Sequence, residues 1–82
     1  MIISFKEYPM KAINPDYPNL VKEVRRQLAL SQEDLARELG VSYATVNRWE
    51  NRQSRPSKLA RAQLDAFCTK MARQGKLNLH VG

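Results

Sequence analysis

Eighty-two residues, of which 43% are hydrophobic and 27% charged, fit one ordinary globular domain. A chain of this length buries roughly 60% of its unfolded surface, which supports one modest core and argues against a large catalytic cleft between two domains. No stretch approaches the roughly 20 apolar residues that cross a bilayer. Fourteen Lys and Arg against eight Asp and Glu give a net charge of +6, which makes nucleic acid a candidate partner and simple solubility the alternative.

The only cysteine, Cys68, cannot form an internal disulfide, which fits a reducing compartment. The first six residues, MIISFK, lack the charged head and the long apolar run of a secretion signal. We therefore expect a cytoplasmic protein that does not contact a membrane.

Residues 1–18 form an N-terminal extension, in which three prolines exclude a continuous helix. Ile3 and Phe5 alternate with polar residues, so a short strand is a candidate there. From residue 19 the apolar period changes to that of a helix, and we expect the main domain to occupy residues 19–73.

The first helix is predicted over residues 19–29, because Leu20, Val24 and Leu28 recur at intervals of four. Asn19 is its predicted cap, since an asparagine oxygen can accept a hydrogen bond from a free amide of the first turn. The apolar face of this helix is expected to pack against the rest of the domain.

The second helix is predicted to begin at a serine cap. Ser31 is followed three residues later by Asp34, a spacing that resembles a capping box. Gly40 ends the helix after Leu39, because glycine adopts the left-handed conformation at low cost. One residue then separates this glycine from the next serine cap.

The third helix is predicted over residues 43–51, with Ser42 as its cap and with Val46 and Trp49 facing the core. A helix this short is marginal alone, so its neighbours must hold it in place. Its opposite face is largely polar and is free to meet a ligand.

The fourth helix is predicted over residues 58–73, after the cap Ser57. Its apolar stripe includes Cys68, which we interpret as a small buried hydrophobic residue. Residues 74–82 form a C-terminal tail, in which the alternation over Leu77–Val81 predicts a strand. This strand could join a second copy, pair with the start of its own chain, or end without a partner.

The turn between the second and third helices is the main functional signal. Its three residues include a glycine, which forces the two helix axes to cross steeply and exposes one side of the third helix. An α-helix fits the major groove of DNA. In a helix-turn-helix, the first residues of the second helix of the pair reach the base edges.

Four stretches of the sequence carry a resemblance to a known family. They are LSQEDLA at 30–36, LGVS at 39–42, VNRWEN at 46–51 and RPS at 55–57. Over residues 20–68 the chain resembles the lambda-repressor/Cro-like helix-turn-helix family, which includes the xenobiotic-response-element (XRE) regulators of bacteria and phages. The resemblance implies a bacterial or phage-encoded protein with an all-α fold. That fold is a compact four- to five-helix lambda-repressor-like DNA-binding domain, to which short terminal β-strands can be added.

The polar face of the third helix is the candidate base-reading surface. Asn47 can pair with adenine, Arg48 can pair with guanine, and Tyr43 can contact a thymine methyl group. A solvated helix face is the alternative interpretation. The DNA base-reading candidates are Ser42, Tyr43, Ala44, Asn47 and Arg48.

Phosphate contacts are expected beside this surface. The resemblance implies that Gln32 binds a phosphate and supports a neighbouring side chain, at a helix N-terminus whose free amides favour anions. No acid lies between Glu50 and Asp65, so the basic residues there form either a phosphate clamp or a solvated charged face. The DNA phosphate-binding candidates are Gln32, Thr45, Asn51, Arg52, Arg55 and Lys58, with Ser57 and Arg61 beside them.

Two further features follow from the resemblance. It implies a structural ion pair between Arg25 and Glu50 that joins the first helix to the third, although Arg25 could instead contact a phosphate directly. The family often has glycine where Arg52 follows Asn51 here. Either Asn51 closes the third helix unaided, since asparagine tolerates left-handed geometry, or the helix runs slightly further.

No constellation in the sequence supports catalysis. Cys68 and His80 are the only cysteine and histidine, so no ligand set for structural zinc exists. There is no glycine-rich phosphate loop and no spaced pair of nucleophile and base. We expect no enzyme activity, no metal and no cofactor.

The sequence supports two functions of different class. One is a sequence-specific transcriptional regulator, above all a repressor, that occupies a double-stranded DNA operator as a homodimer with half-sites about 34 Å apart. The other is an antitoxin, because small members of the family also bind a toxin protein and repress their own operon. The N-terminal extension and the fourth helix would then hold the toxin.

Overall fold

The computed structural model describes residues 16–79, and this part of the chain contains four helices. They are α1 (Tyr17–Leu28), α2 (Gln32–Leu39), α3 (Tyr43–Glu50) and α4 (Lys58–Arg73). Within residues 16–79 no strand is present. The predicted all-α fold is therefore confirmed.

Helix α1 begins earlier than the sequence analysis expected. Its cap is Asp16, whose carboxylate accepts a hydrogen bond from the backbone N–H of Asn19, so the prediction that Asn19 is the cap was wrong. Pro18 is tolerated because the amides of the first turn have no partner within the helix. The Asn19 side chain instead donates to Asp16 at 2.7 Å and steadies the cap.

The other three helices begin at serines, as predicted. Ser31, Ser42 and Ser57 each accept a hydrogen bond from a backbone N–H in the first turn. Asp34 also accepts from the backbone N–H of Ser31 at 3.1 Å, which completes the capping box. Together these caps satisfy amide groups that would otherwise lack partners.

All four helices are followed by a residue in the left-handed conformation. In each case the backbone N–H of the residue that follows donates a hydrogen bond to a carbonyl oxygen in the last turn of the helix, which would otherwise lack a partner. The left-handed residues are Ala29 (φ 55°), Gly40 (φ 75°), Arg52 (φ 62°) and Gly75 (φ 76°). At two of the four positions, Ala29 and Arg52, the residue carries a side chain, although glycine adopts this conformation without strain.

The core lies between the helices and is formed by apolar residues from all four. Val46 and Trp49 of α3 are buried, as their spacing predicts, and they lie among side chains of α1 and α2. Helix α2 also packs against α4, whose Leu64 and Cys68 are buried. The short helix α3 is thus held from two sides, and its outer face remains free.

The tail after α4 folds back onto α1. Leu77 is buried in the core, and the Gln27 side chain accepts from the N–H of Asn78 at 2.7 Å and donates to its C=O at 2.9 Å. The predicted strand over Leu77–Val81 is not present in its described part, residues 77–79, because a side-chain amide pairs with this backbone. Its last two residues and the predicted strand at Ile3 and Phe5 lie outside the described residues.

Candidate nucleic-acid interface

The turn between α2 and α3 sets the position of the candidate interface. Gly40 takes the left-handed conformation, and the N–H of Val41 donates to the C=O of Ala36 at 3.0 Å, so the chain turns sharply at the end of α2. Ser42 then caps α3 and contacts Thr45 through its hydroxyl at 2.8 Å. The first turn of α3 is therefore fixed by its own side chains.

The face of α3 opposite the core is open to solvent. Tyr43 is 50% exposed, whereas the other aromatic residues within residues 16–79, namely Tyr17, Trp49 and Phe67, are buried. Asn47 is half-buried, and the other three base-reading candidates are exposed. These three are Ser42, Ala44 and Arg48.

Behind this face, Arg25 and Glu50 form a bidentate ion pair between α1 and α3. The Arg25 Nε and Nη2 atoms donate to the two carboxylate oxygens of Glu50 at 2.7 and 3.0 Å. A third guanidinium nitrogen of Arg25 donates to the C=O of Leu30 at 3.1 Å. These contacts orient α3 relative to α1 and to the turn before α2.

The environment of Glu50 keeps its carboxyl group ionised. Burial raises the pKa of Glu50, but hydrogen bonds from Arg25 and Gln32 outweigh that effect, so the pKa lies below its ordinary value. The same ion pair raises the pKa of Arg25. Both partners are therefore charged at neutral pH.

A chain of side-chain amides runs from Glu50 to the open face of α3. Gln32 donates from Nε2 to Glu50 Oε1 at 3.0 Å, and Asn47 donates from Nδ2 to Gln32 Oε1 at 3.1 Å. Asn51 then donates from Nδ2 to Asn47 Oδ1 at 3.0 Å. We call Glu50, Gln32, Asn47 and Asn51 the amide relay. The amide relay joins the first residue of α2 to two residues of α3 and to the C-cap of α3.

The basic residues after α3 form an exposed patch. Arg52 lies 3.6 Å from Asp16 as an exposed ion pair, and such pairs contribute little to stability. Arg55 and Lys58 are also exposed, and Arg55 interacts with other groups of the protein. These basic residues follow α3 directly in the sequence.

The end of α3 shows how the chain turns without the glycine that the family often has after Asn51. The helix ends at Glu50, Asn51 is its C-cap with φ −96°, and Arg52 takes the left-handed conformation. Asn51 therefore closes the helix, as the first alternative expected, but it does so without left-handed geometry. The alternative in which the helix runs further is wrong. The chain turns at the position where the family has glycine, even though arginine stands there.

Cys68 does not belong to a reactive site. Burial is the main factor that raises the pKa of its thiol, to about 12. Within residues 16–79, no group of three or more His, Cys, Asp or Glu side chains could hold a metal ion. None of the helices described reaches the length and hydrophobicity that a membrane crossing requires.

Three of these features have no complete signal in the sequence: the Asp16 cap, the partner of Gln32, and the contact of Gln27 with the tail. The resemblance implies that Gln32 supports a neighbouring side chain, but it does not identify that side chain as Asn47. Asp16, one residue after a proline and two before another, carried a cap signal that the closer Asn19 obscured. The contacts between Gln32 and Asn47, and between Gln27 and Asn78, join residues 15 and 51 positions apart. No local pattern signals contacts at such distances in sequence.

Comparison with known proteins agrees with the geometry. Residues 21–60 match the family model described as helix-turn-helix, which confirms the resemblance to the lambda-repressor/Cro-like family. This match covers α2, the turn and α3, together with most of α1 and the first residues of α4. No curated protein and no solved structure matches the chain.

Proposed function

We propose that the protein is a sequence-specific transcriptional regulator, because residues 21–60 match the helix-turn-helix family model. It reads the major groove with α3 and acts as a repressor by occupying an operator in a bacterial or phage-infected cell. The observation that carries this proposal is the open polar face of α3, held in place from behind by the partly buried Arg25–Glu50 pair.

The chemistry of the reading face suits base edges. Arg48 is exposed and can donate two hydrogen bonds to guanine, and Asn47 can pair with adenine. Tyr43 can contact a thymine methyl group, while the small residues Ser42 and Ala44 let the helix approach the groove closely. These five residues are the proposed base readers.

The proposed phosphate contacts lie on both sides of α3. Gln32 stands at the N-terminus of α2, where free amides favour an anion. The remaining members of this set are Thr45, Asn51, Arg52, Arg55 and Lys58. With Arg61 beside them, Arg52, Arg55 and Lys58 make four cations. If these neutralise about four phosphates per subunit, log K should fall with log salt at a slope of about −3.6.

A homodimer is part of the proposal, since one motif reads only a few base pairs. Two copies related by a two-fold axis would place their α3 helices about 34 Å apart, one helical turn of DNA. The C-terminal tail, residues 74–82, with its alternating segment Leu77–Val81, is the candidate dimer element. The molecular mass of the protein in solution, measured after removal of residues 80–82, tests this part of the proposal. An unchanged dimer would exclude the end of the tail as the cause of dimerisation.

Selection of binding sites from random duplexes tests the reading of sequence. We expect a palindromic consensus for the wild type, and we expect Arg48→Met to lose one guanine from it at a cost of roughly 1–3 kcal/mol. The matched control is Arg37→Met, which removes an exposed arginine from α2. No consensus for the wild type, or equal effects of the two substitutions, would refute the proposal.

A second candidate function is an antitoxin that binds a toxin and represses its own operon. The observation that favours it is Leu59 at the start of α4, whose side chain is 74% exposed and could contact a protein partner. Co-purification with the product of a neighbouring gene, abolished by Leu59→Glu while DNA binding persists, would support it. Unchanged co-purification of this variant would remove Leu59 from the explanation.

A further inference from the structure

We infer that Glu50 determines the base preference of Asn47, although Glu50 lies inside the protein and Gln32 stands between the two. This inference rests on the proposed function, since it concerns how Asn47 reads a base. It assigns Glu50 a role in specificity in addition to its place in the ion pair.

The direction of the relay is fixed at one end. An ionised carboxylate can only accept hydrogen bonds, and both oxygens of Glu50 already accept from Arg25. Gln32 must therefore turn its nitrogen toward Glu50, as the 3.0 Å contact shows. Its oxygen then faces away from the ion pair, toward α3.

The orientation of Gln32 in turn fixes the orientation of the Asn47 side-chain amide. The Gln32 oxygen can only accept, so Asn47 must present its nitrogen, and the oxygen of Asn47 then accepts from Asn51. A free asparagine side chain can exchange its oxygen and nitrogen by rotating the amide through half a turn. Asn47 cannot, because that rotation would set oxygen against oxygen at Gln32, whose own orientation Glu50 fixes.

A fixed amide reads fewer bases than a free one. The relay uses one of the two hydrogens of Asn47 Nδ2 and one of the two lone pairs of Oδ1, so one donor and one acceptor remain. Their order in the groove is set, with the nitrogen on the side of Gln32 and the oxygen on the side of Asn51. Base edges differ in the order of their donors and acceptors, so a set order favours one base pair.

The experiment compares binding sites selected from random duplexes by the full-length wild type and by Gln32→Met. Methionine keeps the length of the side chain and removes both amide groups, which releases Asn47. We expect discrimination at one base pair to fall about fivefold or more, while preferences elsewhere persist. The matched control, Gln63→Met, changes an exposed residue of α4 and should leave every preference intact.

Two further variants separate positioning from structure. In an Asn47→Ala background, Gln32→Met should not change any base preference, because the amide that it positions is absent. Glu50→Gln can donate as well as accept, so it should alter the preference at the same base pair as Gln32→Met. Urea unfolding of each variant establishes that it is folded under the binding conditions, and the Gln32→Met result does not depend on Glu50→Gln.

The outcomes divide clearly. Uniform weakening by Gln32→Met, with every base preference retained, would overturn the inference and leave Gln32 as a phosphate contact within an intact regulator. A change of preference that persists in the Asn47→Ala background would also overturn it. Absence of any consensus for the wild type would instead refute the proposed function, and the inference with it.

Discussion

Ala29→Gly is expected to stabilise the protein. Ala29 follows α1 in the left-handed conformation with φ 55°, and its side chain is exposed. The same position after α2 and after α4 is occupied by glycine, at Gly40 and Gly75. A residue with a Cβ atom loses roughly 1–2 kcal/mol in this conformation, and glycine does not.

The net gain is smaller than this strain, because glycine also gives the unfolded chain more freedom. That freedom costs about 0.4–1 kcal/mol, so we expect Ala29→Gly to raise the free energy of unfolding by about 0.5–1 kcal/mol. For a domain of this size, 1 kcal/mol corresponds to a rise in the melting temperature of roughly 4–8 °C. Urea unfolding followed by circular dichroism measures the free energy of unfolding, and thermal unfolding followed by the same signal measures the melting temperature.

The matched control is Ala62→Gly, an identical substitution at an exposed position inside α4. There the backbone is helical, so the substitution should lower the free energy of unfolding by about 1 kcal/mol. The two variants share the effect on the unfolded chain and differ only in native conformation. Equal destabilisation by both would refute the claim that Ala29 is strained.

Three other predictions concern the ion pair, the tail and the thiol. Folding lowers the pKa of Glu50, so the stabilising effect of this carboxylate is present at pH values above its unfolded pKa and is lost as the pH falls through its folded pKa. The difference in urea midpoint between the wild type and Glu50→Gln should therefore shrink from pH 7 to pH 3. A difference that stays constant over this range would contradict the prediction. Leu77→Ala should cost about 2–5 kcal/mol because Leu77 is buried, and an effect below about 0.5 kcal/mol in thermal unfolding would show that the tail does not pack on the core. Cys68 should react with a thiol reagent at pH 8 only at the rate at which the protein unfolds, because the thiol is buried and its pKa is about 12. Rapid labelling of Cys68 in the native protein would be inconsistent with a position in the core.

Local signals made most of the fold predictable from the sequence. Serine caps before apolar-periodic runs placed the starts of α2, α3 and α4, and Gly40 placed the turn, because these preferences act within one helical turn. The start of α1 was misplaced because Asp16 and Asn19 can both cap a helix. Their competition depends on backbone geometry that a sequence does not state.

The candidate site was predictable in position but not in its internal contacts. The polar face of α3 followed from the spacing of Val46 and Trp49, which are buried. The contact between Gln32 and Asn47 depends on how α2 crosses α3, and the contact of Gln27 with Asn78 depends on the path of the tail. Such contacts are set by tertiary packing, which outweighs local preference.

The brevity of α2 and α3, eight residues each, has a practical consequence. Isolated helices shorter than about 12 residues are marginal in water, so a synthetic peptide corresponding to α3 would be a random coil and would not recognise an operator. Grafting its surface side chains onto another scaffold would have to carry over the supporting carboxylate and glutamine as well. The DNA recognition that we propose would therefore depend on the assembled domain, because α3 needs the other helices to hold its shape.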